Sequence, residues 1–248
     1  MKVVQMPVPS AIPATFDSGT ASAPQKISWQ AFVPTGPYSR AVVIAYGSAG
    51  MDPAFKPSIE AHAGQLAAAG ILAVIPDYFQ LTATPHSSPW EVGLMIPSRY
   101  QSWTRALKDA VAAVKKLPGM NTDRVGLLGF SLGGFLALQA RSDVKSLVSY
   151  FAPYQFPSNV KTPAVLKGLG ASSNKRLSCC LFQGTADSLV VPWNCDNIAA
   201  DLKQEGIKEL SQTFFADADH GFTKQDAANT EARNSALSMS ISFFSRTL

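Results

Sequence analysis

Charged residues are scarce in this 248-residue chain, where Asp, Glu, Lys and Arg together make up 15%. The 21 basic residues exceed the 17 acidic ones by only four, and they are scattered. Lys115-Lys116 and Lys175-Arg176 are the only adjacent basic pairs. No stripe suits a phosphate backbone, so no nucleic-acid partner is expected. Cysteine is nearly absent, with three residues and no C-x-x-C pair. That excludes a disulfide framework and a thiolate zinc site, leaving Cys179 and Cys180 as small hydrophobes on a strand and Cys195 at a helix start. No apolar run is long enough to span a bilayer, so no membrane partner is expected. At the N-terminus, Lys2 precedes VVQMPVPSAIPA, but Pro7, Pro9 and Pro13 interrupt any apolar core an export signal would need. Residues 1–25 read as a Pro/Ala/Ser-rich lead-in. A cytoplasmic protein is expected, with an exported one as the alternative.

What is present is a 46% hydrophobic chain with strands and helices in alternation. Strands are expected at 27–33, 40–46, 71–76, 124–130, 144–151, 177–183 and 210–215. Helices are expected at 57–69, 98–117, 132–141, 192–204 and 225–244. Runs such as RAVVIAY and ILAVIP are apolar throughout, as strands covered on both faces must be. No internal repeat or low-complexity linker divides the chain, so residues 26–248 read as one α/β domain. Its expected core is a mostly parallel sheet of seven to eight strands with helices on both faces.

The stretch GFSLGG at 129–134 carries the chemistry. A serine fenced by glycines, straight after the apolar run RVGLLGF, fits a tight strand-to-helix corner where flanking side chains would collide. Ser131 would sit at the carboxyl end of a central strand and the amino end of a helix. A serine hydroxyl needs a base to take its proton as it attacks. Of three histidines, His62 in an Ala-rich helix and His86 in a loop read as ordinary polar positions. His220 follows a late strand at the sheet edge where functional groups gather in open α/β sheets. Asp187 in QGTADSLVVP is the strand-end acid that would orient the imidazole, with Asp217 and Asp219 as rivals close to His220 in sequence. The order Ser131, Asp187, His220 is that of an α/β-hydrolase triad. The oxyanion would meet the Leu132 amide and an amide of the turn Gly47-Ser48-Ala49-Gly50, Ser48 before Ala49.

With AYGSAGMD, IPDYF, VGLLGFSLGG, FQGTADSLVVP and DADHGF, the chain after residue 27 resembles the dienelactone hydrolase family of the α/β-hydrolase superfamily. The resemblance implies an α/β-hydrolase fold with an eight-stranded sheet and cofactor-free hydrolysis of esters or lactones, with no metal. Matching motif by motif, Ser131, Asp187 and His220 take the nucleophile, acid and base positions, and Ser48 the first oxyanion position. Two departures bear on substrate. The family's elbow cysteine is Ser131 here, and its activating glutamate before the oxyanion residue is Gly47. A serine carboxylesterase on small esters is therefore expected, with water and a small ester as the only partners and a monomer or weak homodimer as the assembly. A dienelactone hydrolase proper, a peptidase or thioesterase on the same triad, and a non-catalytic binding protein are the alternatives. Lys224 stands where the family places an arginine against its substrate's carboxylate, and a solvated lysine at a helix start is the competing reading. Prolines and glycines between Phe151 and Leu177 argue against a large helical lid.

Overall fold

Eight strands form a single sheet in the computed structural model, which describes residues 12–20, 22–86, 88–156 and 174–248. The strands are β1 (Thr15–Thr20), β2 (Ala23–Phe32), β3 (Ala41–Ala45), β4 (Leu72–Pro76), β5 (Val125–Phe130), β6 (Ser146–Tyr150), β7 (Ser178–Gly184) and β8 (Glu209–Phe215). The helices are α1 (Lys56–Ala68), α2 (Pro89–Lys115), α3 (Leu132–Gln139), α4 (Trp193–Gln204) and α5 (Ala227–Thr247). The order across the sheet is β1-β2-β4-β3-β5-β6-β7-β8. Only the β1–β2 and β2–β4 pairs are antiparallel. Every residue of β3, β4, β5, β6 and β7 is buried, which accounts for the unbroken apolar runs of β3, β4 and β5, whereas β6 and β7 also bury Ser146, Ser149, Ser178 and Gln183.

The topology decides where a site can form. From β3 the chain crosses to β4 on one side and then returns to β5 on the other. Where strand order reverses in this way, the loops after the two neighbouring strands diverge and leave a crevice at their carboxyl ends. The turn Gly47–Gly50 leaves β3 there, and Ser131 leaves β5.

Two expectations are corrected. The lead-in assigned to residues 1–25 contributes structure, since residues 15–20 form β1 and β2 begins at Ala23. The segment TFDSGT pairs because Phe16 packs on Trp29, with ring centroids 5.1 Å apart, and Asp109 of α2 accepts from the Ser18 hydroxyl and the Gly19 amide. Residues 1–11 lie outside the described residues. Helix α2 starts at Pro89, nine residues before the expected 98, with Pro97 inside it. Val92 and Ile96 extend the buried stripe that continues through Trp103, Leu107, Ala110 and Val114. Burial of that stripe outweighs the hydrogen bond that Pro97 removes. The expected absence of a lid falls largely on residues 157–173, outside the described residues.

Cys179, Cys180 and Cys195 are all buried, the first two on β7 and the third in the first turn of α4. No helix among the described residues is long and apolar enough to cross a membrane.

Candidate active site

Ser131 stands at the corner between β5 and α3 with φ 52° and ψ −117°, a backbone conformation an L-residue adopts only when its surroundings enforce it. The glycines explain how. A Cβ on Gly129 would lie 2.3 Å from the Gly133 carbonyl oxygen, and one on Gly133 would lie 2.2 Å from the carbonyl oxygens of Ala45 and Tyr46. Only glycine lets helix α3 approach β5 and β3 this closely. The corner lifts the serine side chain above the sheet edge. Phe151 and Phe222, at φ 37° and φ 53°, strain the backbone at the same edge.

The loops after β7 and β8 bring the other two groups to this hydroxyl. His220 Nε2 lies 3.1 Å from Ser131 Oγ, and His220 Nδ1 lies 2.7 Å from Asp187 Oδ2. A carboxylate only accepts, so the ring proton sits on Nδ1 and leaves Nε2 to accept from the serine hydroxyl. Asp187 is itself fixed. Its Oδ1 accepts from the Leu189 and Val190 amides at 3.0 and 2.7 Å, and Gln183 Nε2 donates to Oδ2 at 3.0 Å. Its side chain is fully buried, while that of His220 is 21% exposed and packs edge-on to Phe151. The rival acids serve the loop: Asp219 accepts from the Thr223 amide and hydroxyl, and the Asp217 amide donates to Thr185.

The predicted oxyanion donors lie next to Ser131 in the chain and in the turn after the neighbouring strand β3. Leu132 is the first residue of α3, where amides lack intrahelical acceptors. The turn holding Ser48 is closed by the Gly50 amide donating to the Gly47 carbonyl, and a Cβ on Gly47 would lie 3.5 Å from Ser131 Cβ. Ser48, Ser131 and His220 all line one cavity of about 640 Å³. Its other walls are mainly apolar, with Phe55, Ile59, Phe130, Phe151, Phe222 and Leu237 prominent.

Residues 28–248 match the sequence profile of the Dienelactone hydrolase family. The chain belongs to that family. A Saccharomyces cerevisiae protein provisionally described as a carboxymethylenebutenolidase is 27% identical over 177 residues, which cover 65% of this chain and 63% of that protein. The chain thus matches less than two thirds of that relative's length. Among solved structures, a dienelactone hydrolase-like promiscuous phosphotriesterase from metagenomic libraries superposes with TM-score 0.68 at 16% identity, covering 94% of this chain and 97% of that one. Pyrococcus horikoshii acylaminoacyl peptidase gives TM-score 0.70 at 15% identity, covering 96% of this chain and 41% of that one. These structural likenesses establish the shared fold.

Within the family fold, two histidines read as ordinary polar positions have specific partners. His62 faces the cavity from the buried side of α1. Its Nδ1–H donates to the Ser58 carbonyl at 2.8 Å, and its Nε2 accepts from the Tyr150 hydroxyl at 2.9 Å. Ser240 of α5 donates in turn to that hydroxyl at 2.6 Å. The spacing Ile59, His62, Ala63, Leu66 was a sequence signal that His62 belongs to the buried stripe. His86 contacts the turn after β3, its Nδ1 accepting from the Met51 amide. Lys224 is exposed and is not among the cavity-lining residues. The cation that lines the cavity is Arg233 of α5, which no local motif announced.

Burial lowers the His62 pKa from 6.5 to about 4. Between those values the unfolded chain binds the proton that the folded chain refuses. Stability present above pH 6.5 is therefore lost as the pH falls toward 4. From pH 7 to pH 5 this one group should cost about 2 kcal/mol of folding free energy. His62→Gln, although less stable at pH 7, should lose correspondingly less over the same interval in urea titrations. Equal losses in the two proteins would mean that His62 does not titrate in this way.

Proposed function

We propose that the protein is a serine carboxylesterase acting on neutral esters through an acyl-enzyme. The observation that carries this reading is the continuous hydrogen-bonded series Asp187–His220–Ser131, opening on an apolar cavity. Ser131 Oγ attacks the acyl carbon while His220 Nε2 takes its proton, and Asp187 stabilises the imidazolium that results. The Leu132 and Ser48 amides receive the oxyanion. Collapse of the tetrahedral intermediate expels the alcohol, which takes the proton from His220. Water then attacks the acyl-enzyme with His220 again as base, releasing the acid and restoring Ser131. No step calls for a metal or cofactor.

The cavity volume and aromatic lining suit an ester with an aryl or branched aliphatic group of moderate size. The compartment we propose is the cytoplasm, and the assembly a monomer or weak homodimer. A second reading, hydrolysis of anionic lactones, draws support from Arg233. Yet Arg233 Nη1 already donates to the Phe222 and Lys224 carbonyls, and its Nη2 to Thr230 Oγ1. Such an engaged guanidinium offers little of its planar grip to a substrate carboxylate.

In a panel of chromogenic esters, lactones, a thioester and an aryl peptide, neutral esters should therefore turn over best. Lys224→Ala should change neutral-ester turnover by less than about twofold, because an exposed charge outside the cavity contributes little. A dienelactone as best substrate, with Lys224→Ala mainly raising its KM, would replace the carboxylesterase reading with the lactone one.

A further inference from the structure

We infer that His86 is a positioning residue that holds the oxyanion turn in register with Ser131. The inference rests on the serine-esterase reading above. The turn after β3 has a two-sided geometric problem. Its amides must present themselves to an oxyanion, yet Gly47, Ser48 and Gly50 have no large side chain to anchor them. The turn's own hydrogen bond, Gly50 amide to Gly47 carbonyl at 2.9 Å, closes it without fixing its place over the serine.

The imidazole of His86 supplies the missing anchor. Its Nδ1 accepts from the Met51 amide at 3.0 Å, the first amide beyond the turn. A backbone N–H can only donate, so Nδ1 carries no proton and the ring is the neutral Nε2–H tautomer. Nε2–H then donates to Asp77 Oδ1 at 3.1 Å. Asp77, just past the end of β4, also accepts from the Tyr46 hydroxyl at 2.8 Å, and Tyr46 is the last residue before the turn. The Tyr46 carbonyl accepts from the Tyr78 hydroxyl at 2.7 Å, and the two rings stack with centroids 4.2 Å apart. Both ends of the turn are thereby tied to one carboxylate: the entry through Tyr46, and the exit through Met51 and His86.

The fit is close as well as bonded. A Cβ on Gly50 would lie 2.2 Å from His86 Nδ1, and Gly50 takes φ +66°, so a glycine is required under the ring. Burial alone would raise the Asp77 pKa, but the hydrogen bonds from His86 and Tyr46 outweigh it and leave the pKa lowered. The anchor is therefore an ionised one. Releasing Met51 would let the turn, and the Ser48 amide with it, drift from the position where negative charge develops. Preorganised donors act on the transition state more than on bound substrate.

The test compares wild type with His86→Phe, His86→Ala and His86→Gln. Phe keeps the ring volume but neither hydrogen bond. Ala also removes both bonds and carries the comparison should the Phe variant fail to melt cooperatively. Gln offers one amide oxygen to Met51 and one N–H to Asp77, with a separation close to that of the two ring nitrogens. Steady-state kinetics on a neutral ester and the rate of fluorophosphonate labelling at Ser131 are measured on each. The bond-breaking variants should lose about 10- to 100-fold in kcat, less than deletion of an oxyanion donor, with KM changed less than about threefold. His86→Gln should recover to within about fivefold of wild-type kcat. Folded bond-breaking variants with wild-type kcat, a loss confined to KM, or a Gln variant no better than Phe or Ala would each overturn the inference. Absence of Ser131 labelling in wild type would instead overturn the esterase reading beneath it.

Discussion

Ser131→Ala should reduce kcat on the order of 10⁶-fold, the scale seen when a serine nucleophile is removed from a three-residue unit. The expectation follows from the corner that carries the residue. Its positive φ and the glycine contacts at Gly129 and Gly133 hold one side chain above the β5 edge, within hydrogen-bond distance of His220. No second hydroxyl is hydrogen-bonded to the His220 ring among the described residues. Replacement by alanine removes the attacking atom without disturbing the backbone that positions it, so the variant should melt near wild type. Initial rates on the best neutral ester, with protein concentration raised to expose residual turnover, measure the effect. A loss below about 100-fold would be too small for a nucleophile.

Asp187→Asn should reduce kcat on the order of 10⁴-fold, and here the reason is which proton sits where. The Leu189 and Val190 amides both donate to Oδ1, so an asparagine must keep its carbonyl oxygen at that position. Its amide nitrogen then takes the place of Oδ2, facing His220 Nδ1 and the Gln183 amide. Two donors cannot face one another, so the imidazole shifts its proton to Nε2. That tautomer presents N–H to Ser131 and cannot act as base. The backbone contacts at Oδ1 survive while the proton inventory fails, at the Gln183 amide as well as at His220. Stopped-assay kinetics on Asp187→Asn, with KM measured alongside, should show the loss almost wholly in kcat. A variant within about tenfold of wild type would remove Asp187 from the site and return attention to Asp217 and Asp219.

The parts of this site that were legible in sequence are those set by short spacing. GFSLGG encodes its own corner because each glycine answers a clash within a few residues or with the neighbouring strand. The strand-end positions of Asp187 and His220 followed from the rule that open parallel sheets gather chemistry at their carboxyl edge. The rest of the site depends on partners distant in the chain. His62 gains its role from Tyr150, 88 residues away, and His86 from Met51, 35 residues away. Strand β1 is held by Asp109, some 90 residues on, so TFDSGT by itself carries no strand signal. The family resemblance puts Lys224 where an arginine would meet a substrate carboxylate, shortly after His220. The short helical turn His220–Phe222, with Gly221 at φ 77°, leads into a segment whose lysine is exposed. Arg233 reaches the cavity instead, because α5 packs along it, which is a property of tertiary packing that no local pattern records.

The covalent step itself is open to direct observation. Wild-type protein treated with a fluorophosphonate, digested and mapped by mass spectrometry should carry the adduct on Ser131 alone, and Ser131→Ala should carry none. An adduct on another residue, or labelling undiminished in Ser131→Ala, would contradict the assignment of Ser131 as the nucleophile.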